Sequence, residues 1–360
     1  MSMEPGQFWE ADMRAPWVAG CVTGLLPFLV HAQLPSEGRV SARLTIEASS
    51  GPVPIDQMIN GWESNARSSD FAFADGTASL TAEYQGWLLG AERRYYYLYE
   101  FTPDTVSWYE EVEQGSENST DKNIDLDVSS FDARGVFAGY RFSGNGWSLT
   151  PSFTLYKLGH YQFGELSGRS SEGEGTNASA FLDYYFDEDK ILAYEAEEGE
   201  RFGYSLSVAG TRSFNDDWTA SFELRDLWNR LEFFTASHRT GCINVGTVET
   251  SVCEQEGASV SGKDVLEDYI TRIPVTVRGS LSYEPYRMHG DLIMHGPYRN
   301  LTLRKDWLVG SFVSGVSVSS ANQLGVYLTG EWFRIRYAAD DLRLNYVRDA
   351  QLEASLFYQW

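Results

Sequence analysis

Oxygen-bearing side chains recur at every second position in Asp121-x-Asn123-x-Asp125-x-Asp127, the spacing of ligands in a calcium loop. Calcium takes six to eight oxygens, and its twelve-residue loop carries Gly at the sixth place and Glu at the twelfth. Leu126 and Asp132 stand there instead. The run reads first as a solvated acidic loop, bridged by divalent ions to lipopolysaccharide phosphates, and only weakly as a dedicated cation site. No organic cofactor is expected. A second set of charges, Arg134, Arg225, Arg278, Arg304, Arg336 and Arg343 with Asp132, Glu223 and Glu331, falls in or beside segments of alternating polarity. A third feature is the pair Cys242 and Cys253, with ten residues between them in a polar stretch. In an exported chain such a pair closes a short loop as a disulfide. Free thiols or half a metal site are the alternatives, with only His238 nearby.

These groups sit in a chain of 360 residues with 28 Lys+Arg against 51 Asp+Glu, a formal charge of −23. That sign excludes a phosphate-backbone surface as the main business, so no nucleic-acid partner is expected. The aromatic content, 14%, is high. Residues 1–32 read as a leader and secretory signal: Arg14, an apolar run from Trp17 to Val30, and the small residue Ala32 at the cut. Past residue 33 no apolar run reaches the roughly 18 residues of a helical membrane span. Residues 33–360 are expected to form one domain.

Period two organises that domain. Trp147, Leu149, Pro151, Phe153 and Leu155 alternate with Ser148, Thr150, Ser152 and Thr154. Phe202, Tyr204, Leu206 and Val208 alternate with Gly203, Ser205 and Ser207, and similar runs begin at Trp218 and Ile273. Side chains on a strand point alternately to opposite faces. These runs exceed the usual five or six residues of a soluble strand, and their polar face holds Ser, Thr and Gly, which suits a lumen.

The chain closes on Leu352-x-Ala354-x-Leu356-x-Tyr358-x-Trp360. With the signal segment and the alternating runs, this terminus resembles the outer-membrane β-barrel proteins of Gram-negative bacteria, whose assembly signal is an aromatic last residue preceded by alternating apolar ones. Trp360 departs from the Phe more usual there. The resemblance implies a porin-like, antiparallel up-and-down transmembrane barrel, with outer-membrane lipid, lipopolysaccharide and the barrel-assembly machinery as partners. Strands are expected near 38–48, 71–85, 86–101, 129–142, 146–162, 178–187, 190–198, 201–214, 217–235, 267–284, 286–297, 300–318, 322–338 and 341–360. That makes about fourteen, within a range of twelve to sixteen. Long outer loops are expected at 49–70, 102–130, 163–177 and 236–266, with the disulfide in the last.

The expected function is a channel for small polar solutes, with the arginines and carboxylates either setting a selective field across the lumen or bracing a narrow barrel. A closed structural or partner-binding barrel with acidic outer loops is the alternative. Arg225-Asp226-Leu227-Trp228-Asn229-Arg230 also resembles the Trp-Asn-Arg stretch of outer-membrane phospholipases. A serine hydrolase needs Ser, His and an orienting Asn or Asp together, and no Ser follows His160 at the required place. No enzyme activity is expected.

Overall fold

The computed structural model describes residues 38–360 except 63–65, 118, 173–176, 190–193, 196–198 and 246–258. The leader, the signal segment and Cys253 lie outside the described residues. The wall is a single antiparallel sheet that closes on itself: β1 (Gly38–Ser50) pairs with β14 (Asp349–Gln359), from Arg39 opposite Gln359 to Ser49 opposite Asp349.

Between these run β2 (Phe71–Tyr84), β3 (Trp87–Phe101), β4 (Lys122–Tyr140, continued by Phe142–Gly144) and β5 (Trp147–Ser170). Strand β6 comes in two pieces, Ala178–Phe186 and Arg201–Ser213, followed by β7 (Trp218–Val245). Strand β8 is also broken, into Ser259–Thr271 and Thr276–Tyr283. The wall then continues through β9 (Met288–His295), β10 (Tyr298–Val309), β11 (Phe312–Ser319), β12 (Leu324–Thr329) and β13 (Phe333–Ala339). The result is an all-β, closed, 14-strand barrel.

The number agrees with the expectation, but its parts do not. Segments 178–187 and 201–214 are one wall strand, because the upper piece of β6 pairs with the upper halves of β5 and β7 and the lower piece with their lower halves. In the expected strand 190–198, the described residues contribute only to a separate two-stranded hairpin of Glu188–Asp189 and Tyr194–Glu195. Conversely, 300–318 and 322–338 each hold two strands, turning at Gly310 (φ 63°) and at 330–332. At each turn the apolar parity switches, from odd (Leu303, Val309) to even (Phe312, Val316) and from even (Val326, Leu328) to odd (Ile335), a change that reading one long strand passes over.

One end has only short connections, as at Gln85-Gly86, where φ values of 50° and 85° make the tight hairpin turn that Gly permits, while the other end adds long ones to the short turns at 296–297 and 320–323. The long connections lie at the other, extracellular, end. There the strands outlast their expected limits: β4 begins at Lys122, β5 reaches Ser170, β7 reaches Val245 and β8 starts at Ser259. Much of what reads as loop is sheet standing in water, where neither face needs to be wholly apolar.

Two short helices accompany this extension. α1 spans Ile55–Asn60 and α2 Pro103–Glu113, the latter capped by Thr102, whose hydroxyl accepts the Thr105 N–H at 3.3 Å. Outward-facing Tyr99, Phe101, Ile124, Leu126 and Leu166 would meet water above the membrane. They are buried instead beneath Val106 and Tyr109 of α2 and beneath Val53, Met58 and Trp62. Trp62 meets Tyr109 edge-on at 4.8 Å.

Candidate functional site

The pairing registers fix which residues face the lumen. From the periplasmic end upward the interior changes character in layers. The lowest is an open chamber of about 350 Å³ walled by Arg39, Arg43, Arg141 and Arg334 with Glu83 and Glu353. Arg43 pairs with Glu353 at 3.3 Å, and Arg141 with Glu83. Arg39 lies over the Phe357 ring, and neither it nor Arg334 has an ion pair among the described residues. In a chain of −23 this chamber is net basic.

Above it lies a septum of buried charge. Arg94 is fully buried and forks between two carboxylates, Asp75 at 2.9 Å and Asp226 at 2.8 Å. Arg225 reaches Glu92 at 3.3 Å and the Thr77 hydroxyl at 2.8 Å, and the Tyr156 hydroxyl donates to the same Glu92. Ser205 donates to Asp226 at 2.8 Å. On the far side Arg278 pairs with Glu47 at 3.2 Å, which also accepts from Tyr298 and Gln351, each at 3.1 Å. Charges this deep persist only when each is paired and hydrogen-bonded.

Arg225 and Asp226 are sequence neighbours, and strict alternation would send one outward. A bulge opposite Leu206 and Val208, with Asp226 at φ 60°, turns both inward.

The next layer is aromatic. Phe73, Tyr96, Phe131, Tyr161, Phe163, Phe233 and Tyr298 form one buried cluster inside the barrel. Tyr161 and Phe233 stack at 4.2 Å, and the Tyr96 hydroxyl meets His295 Nε2 at 2.8 Å. At the top lies an acidic mouth, where Glu100, Asp125, Asp127 and Glu165 share the inward face. Burial, and then the neighbouring Asp127, raise the Glu100 carboxyl above its ordinary value; burial and then Asp125 do the same for Asp127.

The outward rows carry Leu89, Val136, Phe153, Leu155, Phe222, Leu281, Leu303, Val316, Val326 and Ile335, all exposed on the bare wall. Trp87, Trp147, Trp218, Phe312, Trp332 and Tyr358 edge this belt at the short-turn end. A closed sheet with a hydrocarbon-facing girdle decides the matter. The chain folds as a membrane-spanning β-barrel.

No protein-family model matches the chain, and no curated protein matches it. Among solved structures, the barrel is similar to the Pseudomonas putida toluene transporter TodX, at 10% identity over 91% of this chain and 90% of that one, TM-score 0.42. A TodX deletion mutant, described as a monoaromatic hydrocarbon channel, gives 0.46 at 10% identity and 91% of each chain. The Ralstonia pickettii toluene transporter TbuX gives 0.30 at 11% identity, over 91% of this chain and 90% of that one.

Of the charged residues singled out in the sequence, the barrel turns Arg225, Arg278, Arg304, Arg336 and Glu223 into the lumen, where Arg304 pairs with Asp291 at 2.6 Å and Arg336 lies 3.7 Å from it. Four others lie elsewhere. Arg134 shares the outward face of β4 with Val136, which is 62% exposed, and Asp132 lies on that face too, pairing with Arg93 at 3.6 Å. Glu331 is exposed in a periplasmic turn. Arg343 is in an outer loop, because β14 starts only at Asp349; its hydrogen bonds hold the Asp341 carboxyl down at about 2.

Nor do Asp121, Asn123, Asp125 and Asp127 form a calcium loop. The last three lie along β4 in extended backbone, where alternate residues stand roughly 6.8 Å apart and cannot converge on one ion. The Asp121 carboxylate accepts the Glu172 N–H at 2.9 Å. Among the described residues no group of three or more His, Cys, Asp or Glu could hold a metal.

Asn229 faces inward but orients no histidine. Its amide brackets Ile273, donating to the carbonyl and accepting the N–H, both at 2.9 Å, and so pins the break in β8. Leu352, Ala354, Leu356 and Tyr358 alternate outward along β14, and Trp360 exchanges backbone hydrogen bonds with Gly38 at 3.1 and 3.2 Å.

Sequence reasoning missed Glu47, Asp75, Glu92, Arg94 and Asp226. The first four occupy the polar parity of β1 to β3, opposite Leu44, Leu80 and Leu89, so the alternation did carry a signal for them. The adjacent pair Arg93-Arg94 obscures it.

Proposed function

We propose that the protein is an outer-membrane channel for small solutes of low net charge, closed at rest by the side chains of its own wall. The observation that carries this reading is the septum around Arg94. Its ion pairs join β2, β3 and β7, and every described member is a wall side chain. Rotamer changes can therefore open a path without moving a domain. The two ends carry opposite charge, an acidic mouth and a basic chamber, so neither a cation nor an anion finds attraction along the whole path. The aromatic layer suits compact molecules with an apolar face, and the septum offers donors and acceptors to their polar groups. This narrows the small polar solutes expected from the sequence to ones that also tolerate an aromatic throat.

Osmotic swelling of protein-loaded liposomes tests the reading, using neutral, cationic and anionic solutes of matched size. Faster swelling with the neutral members supports it. No swelling with any of them, from correctly inserted protein, favours a closed structural barrel, for which the complete burial of Arg94 speaks. In the same reading the mature chain begins near residue 33, and Cys242, on the water-exposed extension of β7, is joined to Cys253.

A further inference from the structure

We infer that the basic chamber at the periplasmic end is a binding site for a small dicarboxylate, gripped by Arg39 and Arg334 with its carbon spine on Phe357. The chamber offers about 350 Å³, at the small end of the range for ligand cavities. Its lining sets four arginines against Glu83 and Glu353. Both carboxylates are already taken, Glu83 by Arg141 and Glu353 by Arg43. Arg39 and Arg334 are left without a carboxylate among the described residues. The chamber is therefore complementary to two negative charges.

The pairing register separates those two charges. Arg334 on β13 lies opposite Ser355 on β14, and Arg39 on β1 lies opposite Gln359 of the same strand. Ser355, Phe357 and Gln359 share the inward face of β14, each about 6.8 Å from the next. The Arg39 side chain leans back over the Phe357 ring, 5.0 Å from its centre. Its guanidinium thus stands about one such step, roughly 7 Å, from the row of Ser355 and Arg334. Two carboxylates joined by roughly two to four methylenes match that step.

One end of such a molecule meets Arg334 and the Ser355 hydroxyl, which stands between Arg334 and Arg43 in the register. The other end meets Arg39, each guanidinium giving the paired N–H bonds that suit a carboxylate. The methylenes lie against Phe357 and Leu88. A monocarboxylate leaves one arginine unpaired, and inorganic phosphate concentrates its charge at one point. Above the chamber stand the septum and then the acidic mouth, so the dicarboxylate enters and leaves from the periplasm. That direction of access rests on the closed septum; the site itself rests on the chamber alone.

Isothermal titration of the purified, detergent-folded protein tests the site, with succinate, butyrate, inorganic phosphate and the dication 1,4-diaminobutane as probes. Succinate should bind saturably, butyrate and phosphate each at least 10-fold more weakly, and diaminobutane not at all. Arg39→Gln and Arg334→Gln should each weaken succinate about 10-fold or more, since each removes one charge-assisted end of the grip. Lys157→Gln, which alters an outward cation on β5, should bind as the wild type does. Butyrate or phosphate binding as tightly as succinate overturns the two-ended grip whether or not any variant folds. Wild-type protein that takes up no succinate overturns the site, as does unchanged binding by a folded Arg39→Gln/Arg334→Gln double variant.

Discussion

Arg94 on β3 and Asp226 on β7, 132 residues apart in sequence, meet across the barrel at 2.8 Å with both side chains buried. Asp226 reaches the lumen only because the bulge in β7 reverses its expected face. One irregularity of the wall thus decides whether the interior is spanned. The contact ties together β3 and β7, which lie four places apart in the wall.

Replacing Arg94 with Ala strands Asp226 as a buried carboxylate without its cation and leaves Asp75 only Arg225, 3.9 Å away. Breaking a buried pair this way costs about 3–5 kcal/mol. The expected outcome is a barrel that still folds but loses heat-resistant electrophoretic mobility at a lower temperature. A variant as heat-resistant as the wild type would mean that the septum is not a structural tie.

Asn229→Ala should act on stability and leave lipid chemistry untouched. The substitution orphans the buried N–H and carbonyl of Ile273, at about 1–3 kcal/mol for a lost buried partner. Unfolding in urea, with membranes assayed in parallel for phospholipid hydrolysis, checks both parts. A drop in hydrolysis would reinstate the enzyme reading.

The basic chamber should govern ionic preference at the periplasmic end. Arg39→Glu together with Arg334→Glu turns its lining from net positive to net negative, so the reversal potential in a salt gradient should shift toward cations. Thermal stability should change little, since neither residue has an ion pair among the described residues. An unmoved reversal potential would remove the chamber from the conduction path.

Acid should weaken the mouth's charge earlier than it would for free carboxylates. Glu100 and Asp127 both have raised values, so they take up protons while ordinary Glu and Asp remain charged. Raised carboxylates penalise the folded state above their folded values, and that penalty disappears as the pH falls through them. Mild acid should therefore reduce cation accumulation at the mouth without unfolding the barrel. The check is cation flux into liposomes against pH, with Glu100→Gln/Asp127→Asn giving a flatter profile.

Charge at the closing seam should block assembly. Tyr358 faces lipid and Trp360 is bonded to Gly38 of β1, so Tyr358→Asp/Trp360→Asp places two carboxylates at the interface where β14 must seal. Charge on the lipid face costs up to about 1 kcal/mol near an interface and more at depth. The variant should accumulate without a folded, heat-modifiable band. A normal band would show that the terminus plays no part in sealing.

Architecture was legible because the period of two is strict wherever one face meets hydrocarbon. Leu352, Leu356 and Tyr358, or Phe153 and Leu155, could not be placed otherwise. Where strands leave the membrane the constraint relaxes, and so residues 122–128, 236–245 and 259–266 read as loop although they are sheet. The site was legible only in part, for two physical reasons. A bulge resets parity, as at Asp226, and cations on the outer face, such as Arg134, look from sequence like lumen residues. The turns at Gly310 and at 330–332 are marked only by a switch of apolar parity, which large residues on both parities (Leu308 and Val309, Trp332 and Phe333) blur.

Single-protein conductance in a planar bilayer tests the central claim most directly, comparing wild type with Arg94→Ala. The account predicts rare, small openings for the wild type and frequent, larger ones for the variant, because the wall's own ion pairs form the barrier. Silence from both proteins, with insertion demonstrated by protease protection of the barrel, would contradict it.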